Sequence, residues 1–311
     1  MEILDRNTIK DFVDNFLLAW QMEDSSALRS FWDADAVFNS SAHGSATCDL
    51  PIVKLLLEKQ PVGNAMSLFS SNLYFATKTE NIYTLTFYVY GIVKDDRNEV
   101  MTIGATVLAD IEFGPNTIKF KSLTFSLNWI EGEDDLIPNW RKPLGYRFWK
   151  VGDPLSVIVS EVDAPWNKYS NFHSTNIEEE LLQTYARYAW AIDQADFHLL
   201  QSVFTHDIEG DFTPMGYLKG NQQVIGTMKA FRQSWPWMQH FGEPISYHIS
   251  EDGNEAELVI GRIIPQQYET VLQSPILYGA NYELKMRKED SVWKISYFSY
   301  HPGWFYAKEK K

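Results

Sequence analysis

A histidine, an aspartate and a tyrosine gathered in an aromatic-lined interior can move protons. Imidazole titrates at ~6.5, a carboxylate beside it orients and retunes it, and a phenol hydroxyl polarises a carbonyl. Tyr188, Asp193 and His240 offer that combination, and an internal comparison singles them out. The segment FLLAWQMEDSSALRSFWDADAVF from Phe16 aligns without gaps on YAWAIDQADFHLLQSVFTHDIEG from Tyr188, at an offset of 172 residues. Ala19, Asp24, Leu28 and Asp35 meet Ala191, Asp196, Leu200 and Asp207, and the same offset pairs AMSLF with WMQHF. Further on, an offset of 175 pairs Gly104 and Ala105 with Gly279 and Ala280. At the three positions of interest the first copy carries Phe16, Gln21 and Leu68. Both copies meet the same packing demands, so the polar set of the second is not required for folding.

Each residue also has a plainer reading. Asp193 could cap the next short helix or sit in solvent, His240 could be a satisfied loop histidine, and Tyr188 could be core. Regular helix geometry separates Tyr188 and Asp193 by about 140° around the axis, so they converge only if Asp193 lies near the helix end. Further candidates for ligand contact are Tyr185, Asp211, Tyr282, Glu283, Tyr300 and Trp304, several of them on strands whose alternate residues face inward. His43, His173, His198, His206 and His248 show no ligand-like spacing, and a surface role is expected for each. The single cysteine, Cys48, has no partner for a disulfide or a thiolate metal site and reads as a small apolar residue. No metal site is expected, and acid–base chemistry of this kind needs no cofactor. The sequence holds no nucleophile elbow, phosphate loop, dinucleotide fingerprint or HExxH.

The elements that must position these residues follow from length and pattern. The chain of 311 residues can bury two cores, and 15% aromatic content suggests deep aromatic-lined interiors. A formal net charge of −14 repels phosphate backbones and anionic membranes, which argues against nucleic-acid partners. The start MEILDRNTIKDF lacks a basic region followed by an apolar run, and no stretch reaches membrane-span length, so the cytoplasm is the expected location. Apolar spacings of three and four predict helices over 177–192, 197–203 and 221–233. Period-two runs rich in β-branched and aromatic residues predict strands over 245–250, 255–264, 278–287 and 292–300, separated by EDGN and KEDS turns. Helices followed by antiparallel strands define an α+β class with helices on one face of a curved sheet. The division expected is 1–130 for a degenerate first domain, 131–175 for a packed connector and 176–311 for the domain with the site. The connector holds Trp140, Tyr146, Phe148, Trp149, Trp166, Tyr169 and Phe172, too much apolar area for a solvated tether, and VIVSEV from Val157 could add a strand.

The second copy resembles the SnoaL-like branch of the nuclear transport factor 2-like superfamily. The likeness is carried by YAWAID-x-x-DF-x-x-L-x-x-x-F-x-x-D from Tyr188 to Asp207, by Gly220 before the third helix, by His240 before a strand and by the closing GANYEL and VWKI runs. It implies a cone-shaped cavity between a bent sheet and three helices, a cystatin-like fold in tandem, and pairing of the two copies through their sheets. Two independently tumbling domains in solution scattering would contradict that pairing; further oligomerisation stays open. In dehydratase-like members of the superfamily a tyrosine and an aspartate on the first helix face a histidine, and Tyr188, Asp193 and His240 occupy those positions. A further acidic residue of that group comes from the following strand, where this chain reads Gly261, Arg262, Ile263 and Ile264. Glu283 is the candidate replacement. The resemblance implies a cofactor-independent lyase or isomerase for a small apolar oxygenated ring compound. The alternative is a non-catalytic protein of the same fold that binds a small apolar molecule or acts as a scaffold.

Overall fold

A computed structural model describes residues 4–61, 65–115, 117–142, 158–160, 163–171, 176–234, 238–267 and 277–307. The chain divides into two compact units, Met1–Phe172 and His173–Lys311. Both are α+β. The first contains helices α1 (Arg6–Gln21), α2 (Ser25–Ser30), α3 (Asp49–Glu58) and α4 (Pro165–Lys168), with strands β1 (Trp32–Ser40), β2 (Gly44–Thr47), β3 (Ala65–Thr77), β4 (Ile82–Lys94), β5 (Val100–Gly114), β6 (Thr117–Gly132) and β7 (Ser170–Asn171). The second contains α5 (Ile177–Asp193), α6 (Phe197–Val203) and α7 (Asn221–Gln233), with β8 (Phe204–Asp211), β9 (Tyr217–Lys219), β10 (Gly242–Ile249), β11 (Glu255–Arg262), β12 (Leu277–Glu289) and β13 (Val292–Tyr306). The sheet orders are β2-β1-β6-β5-β4-β3-β7 and β10-β11-β12-β13-β8-β9. Read from opposite ends they match strand for strand, with β7 as an addition. In each, one pair is parallel, β1 with β6 and β8 with β13.

Local sequence explains the elements. In α1 the residues Ile9, Phe12, Val13, Phe16, Leu17 and Trp20 recur at spacings of three and four and are all buried, giving the helix one apolar stripe against the sheet. Asp5 caps its start by accepting from Thr8 N, and Asn176 caps α5 by accepting from Glu178 N. Such caps contribute about 1 kcal/mol each. In β12, Ala280, Tyr282, Leu284 and Met286 point into the second unit while Glu283 and Lys285 are exposed. Asp290 (φ 51°) and Ser291 (φ 65°) form the two-residue turn into β13, the left-handed pair that matches the twist of a hairpin. Among the described residues no helix is long and apolar enough to cross a membrane.

The two units repeat individual contacts at the offset of 172. Asp24 Oδ1 caps α2 by accepting from Ala27 N, and Asp196 Oδ1 caps α6 by accepting from Leu199 N, each at 2.9 Å. Glu23 (φ 55°) and Ala195 (φ 57°) take the same left-handed conformation just before those caps. Cys48 (φ 68°) and Gly220 (φ 84°) turn the chain into α3 and α7. That position is free for glycine and strained for cysteine. Cys48 is also exposed. Gln60 Nε2 donates to Trp20 O at 2.7 Å, and Arg232 Nε donates to Ile192 O at 2.9 Å.

The described part of 131–171 packs into the first unit. Trp140 Nε1 donates to Lys59 O at 2.7 Å, and the Trp166 ring meets Tyr74 edge-on at 5.9 Å. Tyr146, Phe148, Trp149, Phe172 and half of the VIVSEV run lie outside the described residues.

The interior of the first unit holds one group that the sequence reading placed at the surface. His43 is only 3% exposed. Its ring packs among Trp20, Phe38, Phe125 and Trp140, the last at 4.5 Å. Its Nδ1 shares a 2.7 Å hydrogen bond with Ser40 Oγ, and Nε2 is buried with no partner among the described residues. Burial first, and the charge of Lys59 second, push its pKa down to about 3, so the ring is neutral. His198, His206 and His248 are exposed, and His173 lies outside the described residues.

Leu68 and Phe16 are buried in the same unit. Leu68→His places an imidazole there without a carboxylate, because Gln21 stands where Asp193 stands in the other copy. The expected loss is on the order of 1–3 kcal/mol. An unchanged melting temperature with the new histidine shown to be buried would contradict this.

Candidate active site

Asp193 is the last residue of α5, at the helix end where convergence with Tyr188 becomes geometrically allowed. The final carbonyls of a helix lack intrahelical donors. Arg232, 2% exposed and projecting from α7, supplies them through Nε to Ile192 O and through Nη2 to Asp193 O at 2.6 Å. This clamp fixes the backbone from which the Asp193 carboxylate reaches His240, two residues ahead of β10. Oδ2 accepts from His240 N at 2.7 Å, and Oδ1 meets His240 Nδ1 at 2.5 Å. Both residues are buried, with 2% and 6% exposure. Helix capping belongs to Asp196, so Asp193 is not the capping residue.

The first unit repeats half of this arrangement. Gln21, the last residue of α1, accepts from Leu68 N at 2.9 Å through Oε1. One side-chain oxygen holding that backbone N–H is therefore common to both units and structural. The second oxygen and the imidazole it meets occur in the second unit alone. A carboxylate at Nδ1 selects the tautomer with its proton on Nδ1, which leaves the lone pair on Nε2.

Aromatic rings surround the pair. Tyr188 lies 6.1 Å from the His240 ring, and Tyr282 lies 6.4 Å from both. Tyr185 lies 5.9 Å from Tyr282, with its hydroxyl 3.4 Å from His240 O, and Tyr300 stacks obliquely on Tyr282 at 5.0 Å. Gly242 makes room for Tyr185, since a Cβ there would fall 2.4 Å from the phenol oxygen. Burial pushes the phenol pKa values of Tyr185, Tyr188 and Tyr282 up, with mutual phenol interactions adding to it for Tyr185 and Tyr188. At neutral pH all three are hydrogen-bond donors. Among the described residues no group of three or more His, Cys, Asp or Glu side chains could hold a metal ion.

The structure thus brings Tyr185, Tyr188, Asp193, His240, Tyr282 and Tyr300 together. Three candidates fall elsewhere. Asp211 Oδ1 accepts from Thr213 N and Oγ1 at 3.0 and 2.8 Å, which makes it the acceptor of a local turn. Glu283 faces away from its neighbour Tyr282 by strand alternation; its carboxylate is 58% exposed and 3.6 Å from His301 Nε2. Glu283 therefore does not replace the strand acid. Trp304 is 48% exposed near the end of β13. Sequence reasoning missed Arg262, whose Nη1 donates to Tyr300 OH at 3.1 Å. Its signal was parity: Leu258 and Ile260 face inward, and Arg262 continues that face. A cavity of about 160 Å³ in the first unit is bordered by Lys78, Asp110, Asp163 and Lys168, but these form ion pairs with one another at 2.7 and 2.8 Å.

Residues 174–299 match the SnoaL-like domain. No curated protein matches the chain. Among solved structures, this chain is similar to a LinA-type3 hexachlorocyclohexane dehydrochlorinase from Novosphingobium barchaimii LL02. That likeness has 16% identity, covers 42% of this chain and 90% of that one, and has a TM-score of 0.37. A cystatin-like-fold protein of unknown function from Nostoc punctiforme PCC 73102 is 14% identical over 41% of this chain and 95% of its own, with a TM-score of 0.34.

Proposed function

We propose that the SnoaL-like domain is a cofactor-independent lyase or isomerase, dehydratase- or cyclase-like, for a small, largely apolar, oxygenated ring compound. The observation that carries this reading is the buried Asp193–His240 pair at 2.5 Å. His240 removes a proton from carbon through Nε2, and the Asp193 carboxylate balances the imidazolium that results. Tyr188, held protonated by burial, hydrogen-bonds the substrate oxygen toward which charge moves. In an elimination the C–H electron pair becomes the double bond as the C–O bond breaks, and the leaving oxygen departs with the C–O pair and takes the proton carried by His240 to form water. In an isomerisation the proton returns to a different carbon. Tyr188→Phe keeps the ring packing and loses one donor, so it lowers turnover by less than His240→Ala does.

Mass spectrometry of compounds that co-purify with the protein, followed by their incubation with wild type and His240→Ala, tests the proposal. Conversion by wild type alone supports it. A second reading, a binding protein of the same fold, is favoured by the lack of an acid at Gly261, Arg262, Ile263 and Ile264, the strand region where the dehydratase-like relatives implied by the sequence carry one. It predicts that the co-purified compound is returned unchanged by both proteins.

A further inference from the structure

Arg262 is a cation held among neutral donors. Its Nη1 donates to Tyr300 OH, and its Cζ lies 5.8 Å from the centroid of the Tyr300 ring. Nε is fully buried and has no hydrogen-bond partner among the described residues. The buried acid of the site, Asp193, has both oxygens engaged by His240. A half-buried guanidinium whose Nε is cut off from water without a carboxylate partner costs the fold free energy.

The fold does not require it. In the first sheet Val89 is the register partner of Ala105, and in the second Arg262 is the register partner of Ala280. Ala105 and Ala280 are equivalent in the internal alignment, so Val89 occupies the place of Arg262. Val89 is completely buried in the apolar core of the first unit. An arginine retained where valine suffices, with a buried donor left over, is complementary to something that enters the site.

We infer that Arg262 is the anion-binding residue of this site and that the ligand is a ring compound bearing a carboxylate. The Nε and Nη2 edge of a guanidinium matches the two oxygens of a carboxylate side by side. Tyr300 acts as a positioning residue by tying down Nη1 and fixing the plane of the fork. Tyr185 and Tyr282 flank the place where the ring lies. This rests on the Asp193–His240 interior being the ligand site, but it does not depend on turnover.

Titration calorimetry on the full chain with benzoate and 1-naphthoate, each against its neutral amide, tests the inference. Wild type should prefer at least one carboxylate over its amide by about tenfold or more, the range of a charge-assisted hydrogen bond. Arg262→Met should abolish that preference and raise the melting temperature, whereas Arg262→Lys should keep part of the preference. Should Arg262→Met fail to fold, Arg262→Lys and Tyr300→Phe, which weaken the fork without removing its bulk, carry the comparison. Equal affinity for acid and amide, absence of binding to both acids, or a preference that survives Arg262→Met would overturn it. His240→Ala separates the two readings: a carboxylate preference that persists in that variant supports the Arg262 site even if no turnover is ever found.

Discussion

Asp193→Asn is expected to fold normally and to lose turnover by on the order of 10²–10⁴-fold, as His240→Ala does. The folding half of this expectation comes from the first unit, where the Gln21 side-chain amide oxygen holds the Leu68 N–H that corresponds to that of His240. An asparagine oxygen can hold the same N–H. Its amide then presents a donor to Nδ1, which drives the imidazole proton onto Nε2 and removes the lone pair that would take a proton from substrate. The charge that balances an imidazolium is lost as well. Because the two side chains act as one unit, the double variant should be little worse than either single one. The measurement is turnover of the co-purified compound beside thermal melts. Full activity in a folded Asp193→Asn protein would remove the pair from the mechanism, and unfolding would show that the carboxylate is structural.

The second large effect concerns stability against acid. In the unfolded chain His43 takes up a proton as pH falls through ~6.5, whereas the folded ring, pushed down to about 3, does not until far lower pH. Between those values the unfolded state binds more protons, so stability rises with pH across the window and is complete above ~6.5. The slope for one such group is about 1.4 kcal/mol per pH unit. Between pH 6.5 and 5, before carboxylates dominate, wild type should lose about 2 kcal/mol relative to His43→Phe. Phenylalanine preserves the ring packing against Trp140, and Ser40 Oγ keeps its bonds from the backbone N–H groups of residues 42 and 43. Denaturant titrations at the two pH values read the difference directly. Parallel pH profiles for the two proteins would show that His43 is hydrated or protonated in the folded state.

These two residues mark how far the sequence could be read. Helix spans in the second unit were legible almost to the residue, because an apolar stripe at spacings of three and four is a local property. The expected span 177–192 became Ile177–Asp193, and the other two helices kept their expected limits. Tyr188, Asp193 and His240 were legible because the first copy is an internal control with Phe16, Gln21 and Leu68 at the same places. What local pattern could not decide was direction. Tyr282 and Glu283 are adjacent, and choosing which faces inward requires the pairing register of β12, which shifts between Tyr278 and Ala280 and again between Lys285 and Met286. The same ambiguity hid Arg262. His43 lies between β1 and β2 and reads as a loop residue; it is buried because Trp140, nearly a hundred positions later, closes over it. The amino-acid order by itself determined the α+β class, the repeat and the three polar residues that one copy has and the other lacks, since those depend on periodicity and comparison along the chain. Only the tertiary structure decided that the Asp193 carboxylate meets His240, that Arg262 rather than Glu283 faces them, and that His43 is dry, because each depends on contacts between segments far apart in sequence.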